Sequence, residues 1–153
     1  MSSRQPVHAP AAPAAVGPYV HAVAVSGQLL FASGQIPLDP GTSEIVGTTP
    51  AEQARQCLEN LSAVAAAAGA RLHDAVKLTV YMTDLSAFTE VNEVYASFFA
   101  DTEPPARVAL GVAALPRGAQ VEIDAIIALP DAAADAGSDT APDAGADTGD
   151  ARG

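Results

Sequence analysis

The chain has 153 residues, a net charge of −11 and a single cysteine, Cys57. That length suits one domain with a real hydrophobic core, and a lone thiol excludes an internal disulfide and points to a reducing compartment. Residues 1–130 hold six Lys and Arg, unclustered, which argues against nucleic-acid binding because phosphate contacts rest on those side chains.

The opening MSSRQPVHAPAAP has one Arg but no apolar segment of the kind a secretory signal needs, and residues 1–11 read as a loose lead. From Gln5 to Leu38 there is no charged residue. Pro13, Gly17, Pro18, Ser26, Gly27, Gln28 and Ser33 nonetheless cut this stretch into pieces far shorter than the ~20 residues of a membrane span. A soluble, cytoplasmic protein without membrane contact is expected. His8, His21, His73 and Cys57 are scattered without ligand-like spacing, so no metal is expected.

YVHAVAVSGQLLFASG predicts two strands about a turn at Ser26-Gly27, and GTSEIVG a loop with a short hairpin arm. TPAEQARQCLENLSAVAAAAG carries a full set of helix signals. Thr49 caps, Glu52 closes a capping box, Pro50 stands at the first helical position and Gly69 stops the helix. Ala54, Cys57, Leu58, Leu61, Val64, Ala65 and Ala68 form its apolar stripe. On that stripe Cys57 is a small core hydrophobe rather than a nucleophile. AVKLTVYM predicts a strand with Val76, Leu78, Val80 and Met82 on one face. SAFTEVNEVYASFFA predicts a second helix with Phe88, Val91, Val94, Tyr95 and Phe98 inward, and ARVALGVAAL and QVEIDAIIAL the last two strands. The order β-β-α-β-α-β-β implies an α+β fold, one mostly antiparallel or mixed sheet with both helices on one face.

The tail, residues 131–153, is Ala/Asp/Gly-rich and carries a net charge of −5. It lacks large apolar residues to bury, so a disordered, solubilising segment is expected. The domain itself is then residues 12–130.

Strand alternation assigns Val108, Leu110 and Val112 to the helix-covered face, leaving Arg107, Ala109, Gly111 and Ala113 opposite. Val121, Ile123, Ala125 and Ile127 go to the helices, so Glu122, Asp124 and Ile126 share the uncovered face with Arg107, Lys77, Thr79 and Tyr81. That face is too apolar for an ordinary wet surface, which implies a covering subunit and a ligand site at the boundary. On pattern alone Arg107 is as readily a structural partner of Glu122 or Asp124 as a ligand-binding group.

Three blocks carry a resemblance: APAAVGPY (Ala12 to Tyr19), SGQIP (Ser33 to Pro37) and PARVALGVAALPRGAQVEI (Pro105 to Ile123). With AEQARQCLENL and DLSAFTEVNEVYASFF between them, residues 12–130 resemble the RidA (YjgF/YER057c/UK114) family of enamine/imine deaminases. The resemblance implies a chorismate-mutase-like fold, a homotrimer with sites between subunits, and hydrolysis of 2-aminoacrylate and related imino acids to 2-keto acids and ammonia without a cofactor. It implies Arg107 as the carboxylate-binding group and Glu122 as the residue that positions and activates water. Tyr19, Ser33, the Gly34 amide, Asn92 and Ala109 are implied as the pocket. Ala109 stands where many members have Cys, which bears on pocket size and substrate preference. The alternatives are a non-catalytic keto-acid-binding module, a deaminase of a larger imine in one pathway, and, least favoured by the acidic balance, an endoribonuclease.

Overall fold

The structure, a computed structural model, describes residues 3–131. The tail expected to be disordered lies, apart from Asp131, outside the described residues.

The elements are β1 (Arg4–Val7), β2 (Ala22–Val25), β3 (Leu29–Gln35), α1 (Pro50–Ala67), β4 (Ala75–Met82), α2 (Phe88–Phe98), β5 (Ala106–Gly111) and β6 (Val121–Ala128). Four strands form a mixed sheet in the order β3-β6-β4-β5, antiparallel except for the parallel pair β4 and β5. Both helices lie on one face, as the α+β reading requires. Between them and the sheet sits one core that includes Leu58, Leu61, Leu78, Met82, Tyr95, Ile123 and Ile127.

The first helix begins and ends where its sequence signals stand. The Thr49 hydroxyl accepts from the Glu52 amide at 3.2 Å, and the Glu52 carboxylate accepts from the amides of Thr48 at 2.8 Å and Thr49 at 3.2 Å. Gly69, at φ +76°, turns the chain out, while Gly69 and Ala70 donate back to Ala66 and Ala65, a Schellman closure. Cys57 is fully buried, and burial pushes its thiol up to about 12, which fits an inert core residue.

Three expectations need correction. Residues 1–11 are not wholly loose: Arg4–Val7 pairs antiparallel with Ala22–Val25. Arg4 anchors this ribbon, donating to the carbonyls of Ala75 at 2.6 Å and Glu103 at 2.9 Å. Secondly, the strands flanking Ser26-Gly27 both exist but do not pair with each other, since β2 joins β1 and β3 joins β6. Pairing with β6 sets Leu30 and Ala32 against Ile127 and Ala125 over the core. That burial outweighs the local turn signal.

The third correction concerns faces. Leu78, Val80 and Met82 of β4 are buried beneath the helices. In the parallel register Arg107 lies opposite Leu78, Ala109 opposite Val80 and Gly111 opposite Met82. Arg107 therefore shares the helix face, while Val108, 43% exposed, and Leu110 look the other way. The strand also stops at Gly111, leaving Val112 and Ala113 outside it. Alternation favoured the larger Val108 and Leu110 for the core, but the structure turns toward the helices the face that carries Arg107, Ala109 and Gly111. Tertiary packing against α2 decides the parity.

Replacing Thr49 by Ala removes one of the two reciprocal cap bonds, and urea unfolding should register a loss of about 1 kcal/mol without a change of fold.

Candidate active site

Arg107 is the second residue of β5, delivered by a Pro104-Pro105 step. The Val20 amide donates to the Pro105 carbonyl at 3.3 Å, which sets the turn at residues 16–19 beside the strand. In that turn Tyr19 donates to the Gly17 carbonyl at 2.8 Å. A Cβ at Gly17 would lie 3.2 Å from Nη2 of Arg107, so only glycine lets the backbone approach the guanidinium this closely without crowding it.

From the other side, α2 presents Phe88, Asn92 and Tyr95, spaced four and three residues apart and so on one helical face. Arg107 Nη1 donates to Asn92 Oδ1 at 2.6 Å. Its Cζ lies 4.7 Å from the ring centre of Tyr95, 5.3 Å from Phe88 and 5.4 Å from Tyr19. The side chain is half-buried, and burial lowers its pKa from the ordinary value, the Tyr95 and Tyr19 hydroxyls acting in the opposite sense. A guanidinium stays protonated under such a shift. Among the described residues it makes no ion pair. A cleft of about 430 Å³ opens alongside, lined in part by Tyr19, His21, Lys77, Arg107 and Val108.

Glu122 stands in β6 opposite Tyr81 of β4, on the face away from the helices. Across from it β3 bulges. Ala32 pairs with Ala125 and Gln35 with Ile123, so Ser33 and Gly34 together oppose Asp124. The bulge brings Gly34 against the carboxylate: a Cβ there would overlap Oε1 of Glu122 and lie 3.0 Å from its Cδ. Glu122 makes no side-chain hydrogen bond or ion pair among the described residues. Asp124 accepts from the Tyr81 hydroxyl at 2.9 Å, and that bond is the first cause of the phenol's raised pKa.

The residues implied by the sequence therefore fall into two groups. Tyr19, Asn92 and Arg107 come together on the helix side; Ser33, Gly34 and Glu122 come together on the open side. The face shared by Arg107 and Glu122 in the sequence reading is thus corrected, and neither Glu122 nor Asp124 pairs with Arg107 within the chain. Ala109 is the next helix-side residue of β5 after Arg107 and packs against the core. Gly17, Phe88 and Tyr95 were missed as site residues. The last two read as helix core, although their spacing with Asn92 marks a common face.

A family profile described as Endoribonuclease L-PSP matches residues 9–129. This chain belongs to the RidA/YjgF family. A RutC family protein, y4sK of Sinorhizobium fredii, is 52% identical over 125 residues, covering 82% of this chain and 98% of the relative. The mouse 2-iminobutanoate/2-iminopropanoate deaminase is 46% identical over 115 residues, covering 75% of this chain and 84% of the relative. The crystal structure of the E. coli YjgF gene product superposes with a TM-score of 0.64 at 42% identity, covering 81% of this chain and 98% of that one. The chorismate-mutase-like α+β fold agrees with these neighbours.

Within this RidA/YjgF chain the Tyr95 hydroxyl is fully buried and has no hydrogen-bond partner among the described residues, and burial raises its pKa. An unsatisfied buried hydroxyl costs ~1–3 kcal/mol. Tyr95→Phe should therefore raise stability by about 1 kcal/mol in urea unfolding; an equal loss would mean that the hydroxyl has a partner.

Proposed function

We propose that this chain is a cofactor-independent hydrolytic deaminase of small enamine and imine acids, converting 2-aminoacrylate, 2-iminopropanoate and 2-iminobutanoate to 2-keto acids and ammonia. One observation carries the reading. Arg107 is a half-buried cation held by an amide and three rings, with no carboxylate partner among the described residues. Such a group is prepared for a planar carboxylate, which it takes bidentately. The mouse relative, named as a 2-iminobutanoate/2-iminopropanoate deaminase, supports this reading.

The chemistry that follows needs a carboxylate to handle water. 2-Aminoacrylate, an enamine, first becomes 2-iminopropanoate as a proton moves from its nitrogen to C3; water oxygen then bonds to the imine carbon while its proton passes through Glu122 to the nitrogen. The resulting carbinolamine then loses its hydroxyl proton through Glu122 to the amino group, the C–N bond breaks, and ammonia leaves behind the keto acid. General acid–base assistance of this kind is worth ~10²–10⁴-fold.

Arg107 and Glu122 lie on opposite faces of the same sheet, so the working site takes Arg107 from one protomer and Glu122 from another. The open face bearing Glu122 also exposes Leu29, Phe31 and Val108, apolar surface that a second copy would cover. The proposed assembly is a homotrimer with three such composite sites. Its partners are imino and keto acids and neither nucleic acid nor membrane. No helix among the described residues is long and apolar enough to cross a membrane, which is compatible with the proposed cytoplasmic setting.

The test generates 2-aminoacrylate and 2-iminobutanoate in situ and follows their decay. Wild type should speed the loss, and Arg107→Ala and Glu122→Gln should each abolish the acceleration. Mixing the two inactive variants should then restore about a quarter of wild-type activity if chains assort at random, because some interfaces regain an intact pair. Wild type that binds 2-ketobutyrate yet leaves the imine lifetime unchanged would make this a binding module instead. Gly34→Ala, which displaces the Glu122 carboxylate, should cut turnover by about tenfold or more while 2-ketobutyrate affinity changes far less.

A further inference from the structure

We infer that Tyr95 is a positioning residue for Arg107, its ring acting as the platform that fixes the guanidinium in its receptive orientation; this rests on Arg107 being the group that takes the ligand carboxylate. Of the three rings around the guanidinium, that of Tyr95 is nearest, at 4.7 Å from Cζ. It is also the one with no freedom. Tyr95 is 0% exposed, set in the core by α2 and packed at a tilt of 41° against Phe99 with ring centres 4.9 Å apart. Tyr19 and Phe88 are only half-buried. A cation held over an aromatic face gains attraction without being neutralised, so a ring platform orients Arg107 and leaves its charge available. A carboxylate in the same place would orient it and use up the charge.

The second support lies in the division of labour around Arg107. Asn92 engages only Nη1, which fixes one corner of the planar group and leaves it free to pivot about that bond. A ring against the guanidinium face removes the pivot. Tyr95 is on the same helix as Asn92, three residues on, so both constraints move as one body. The hydroxyl takes no part, being without a partner among the described residues.

The test uses the full chain and 2-ketobutyrate as the probe, with affinity read by calorimetry. Tyr95→Leu, which removes the ring, should weaken binding by about tenfold or more, the size a desolvated cation–π contact carries. Tyr95→Phe, which returns the ring without the hydroxyl, should recover most of that loss. Leu binding as tightly as wild type, or Phe losing as much as Leu, overturns the inference. A second measurement needs no variant. In NMR of the ligand-free protein, the Arg107 δ-methylene and Nε–H protons should sit upfield of the other arginines from the ring current; unshifted signals overturn the inference even if Tyr95→Leu fails to fold. Wild type that shows the shifts but does not bind 2-ketobutyrate would instead refute the ligand assigned to Arg107, leaving the platform standing.

Discussion

A guanidinium partly withdrawn from water, with no counter-charge among the described residues, is the constraint on which the rest of this molecule turns. Desolvating an ion costs several kcal/mol, and here the offset comes from neutral groups: the Asn92 amide and the rings of Tyr19, Phe88 and Tyr95. Each belongs to a different part of the scaffold from the strand that bears Arg107. Helix α2 supplies three of them from one face, and the turn at residues 16–19 supplies the fourth along with the close approach of Gly17.

The N-terminal ribbon belongs to the same design. Arg4 ties β1 to the start of β4 and to Glu103, and Val20 ties the chain just before β2 to Pro105. Those contacts brace the segment that leads into Arg107 from both sides. A stretch with little core of its own is thereby ordered by its attachment to the residues around the site.

On the open face the logic reverses. Glu122 is set by a central strand and by the bulge at Ser33-Gly34, a backbone device rather than a cage of side chains. Its carboxylate is accessible to whatever covers that face. Under the proposed function the cation and the carboxylate are kept apart in the monomer, which prevents the internal salt bridge that would otherwise occupy both. Under that proposal they meet only across a subunit boundary, with the ligand between them.

The sequence by itself determined most of the elements and the candidate site residues, though not strand β1. The capping box of Thr49 and Glu52, the Gly69 stop, the buried stripe with Cys57 and the α+β order were all legible, because caps and periodicity are local signals; family motifs singled out Arg107, Glu122, Tyr19, Asn92, Ser33 and Gly34 as the candidates on which the proposed function rests. Tertiary structure alone decided which strands pair and which way Arg107 faces. The turn at Ser26-Gly27 promised a hairpin, but long-range pairing of β3 with β6 buries more apolar surface. Alternation in β5 misled because apolar residues occupy both sides and the larger ones, Val108 and Leu110, face away from the helices; the parallel register with β4, together with the rings of α2, sent Arg107 to the helix face. For the same reason Phe88 and Tyr95 looked like ordinary core: an aromatic on a buried helix face shows its second role only when the cation it carries is in place.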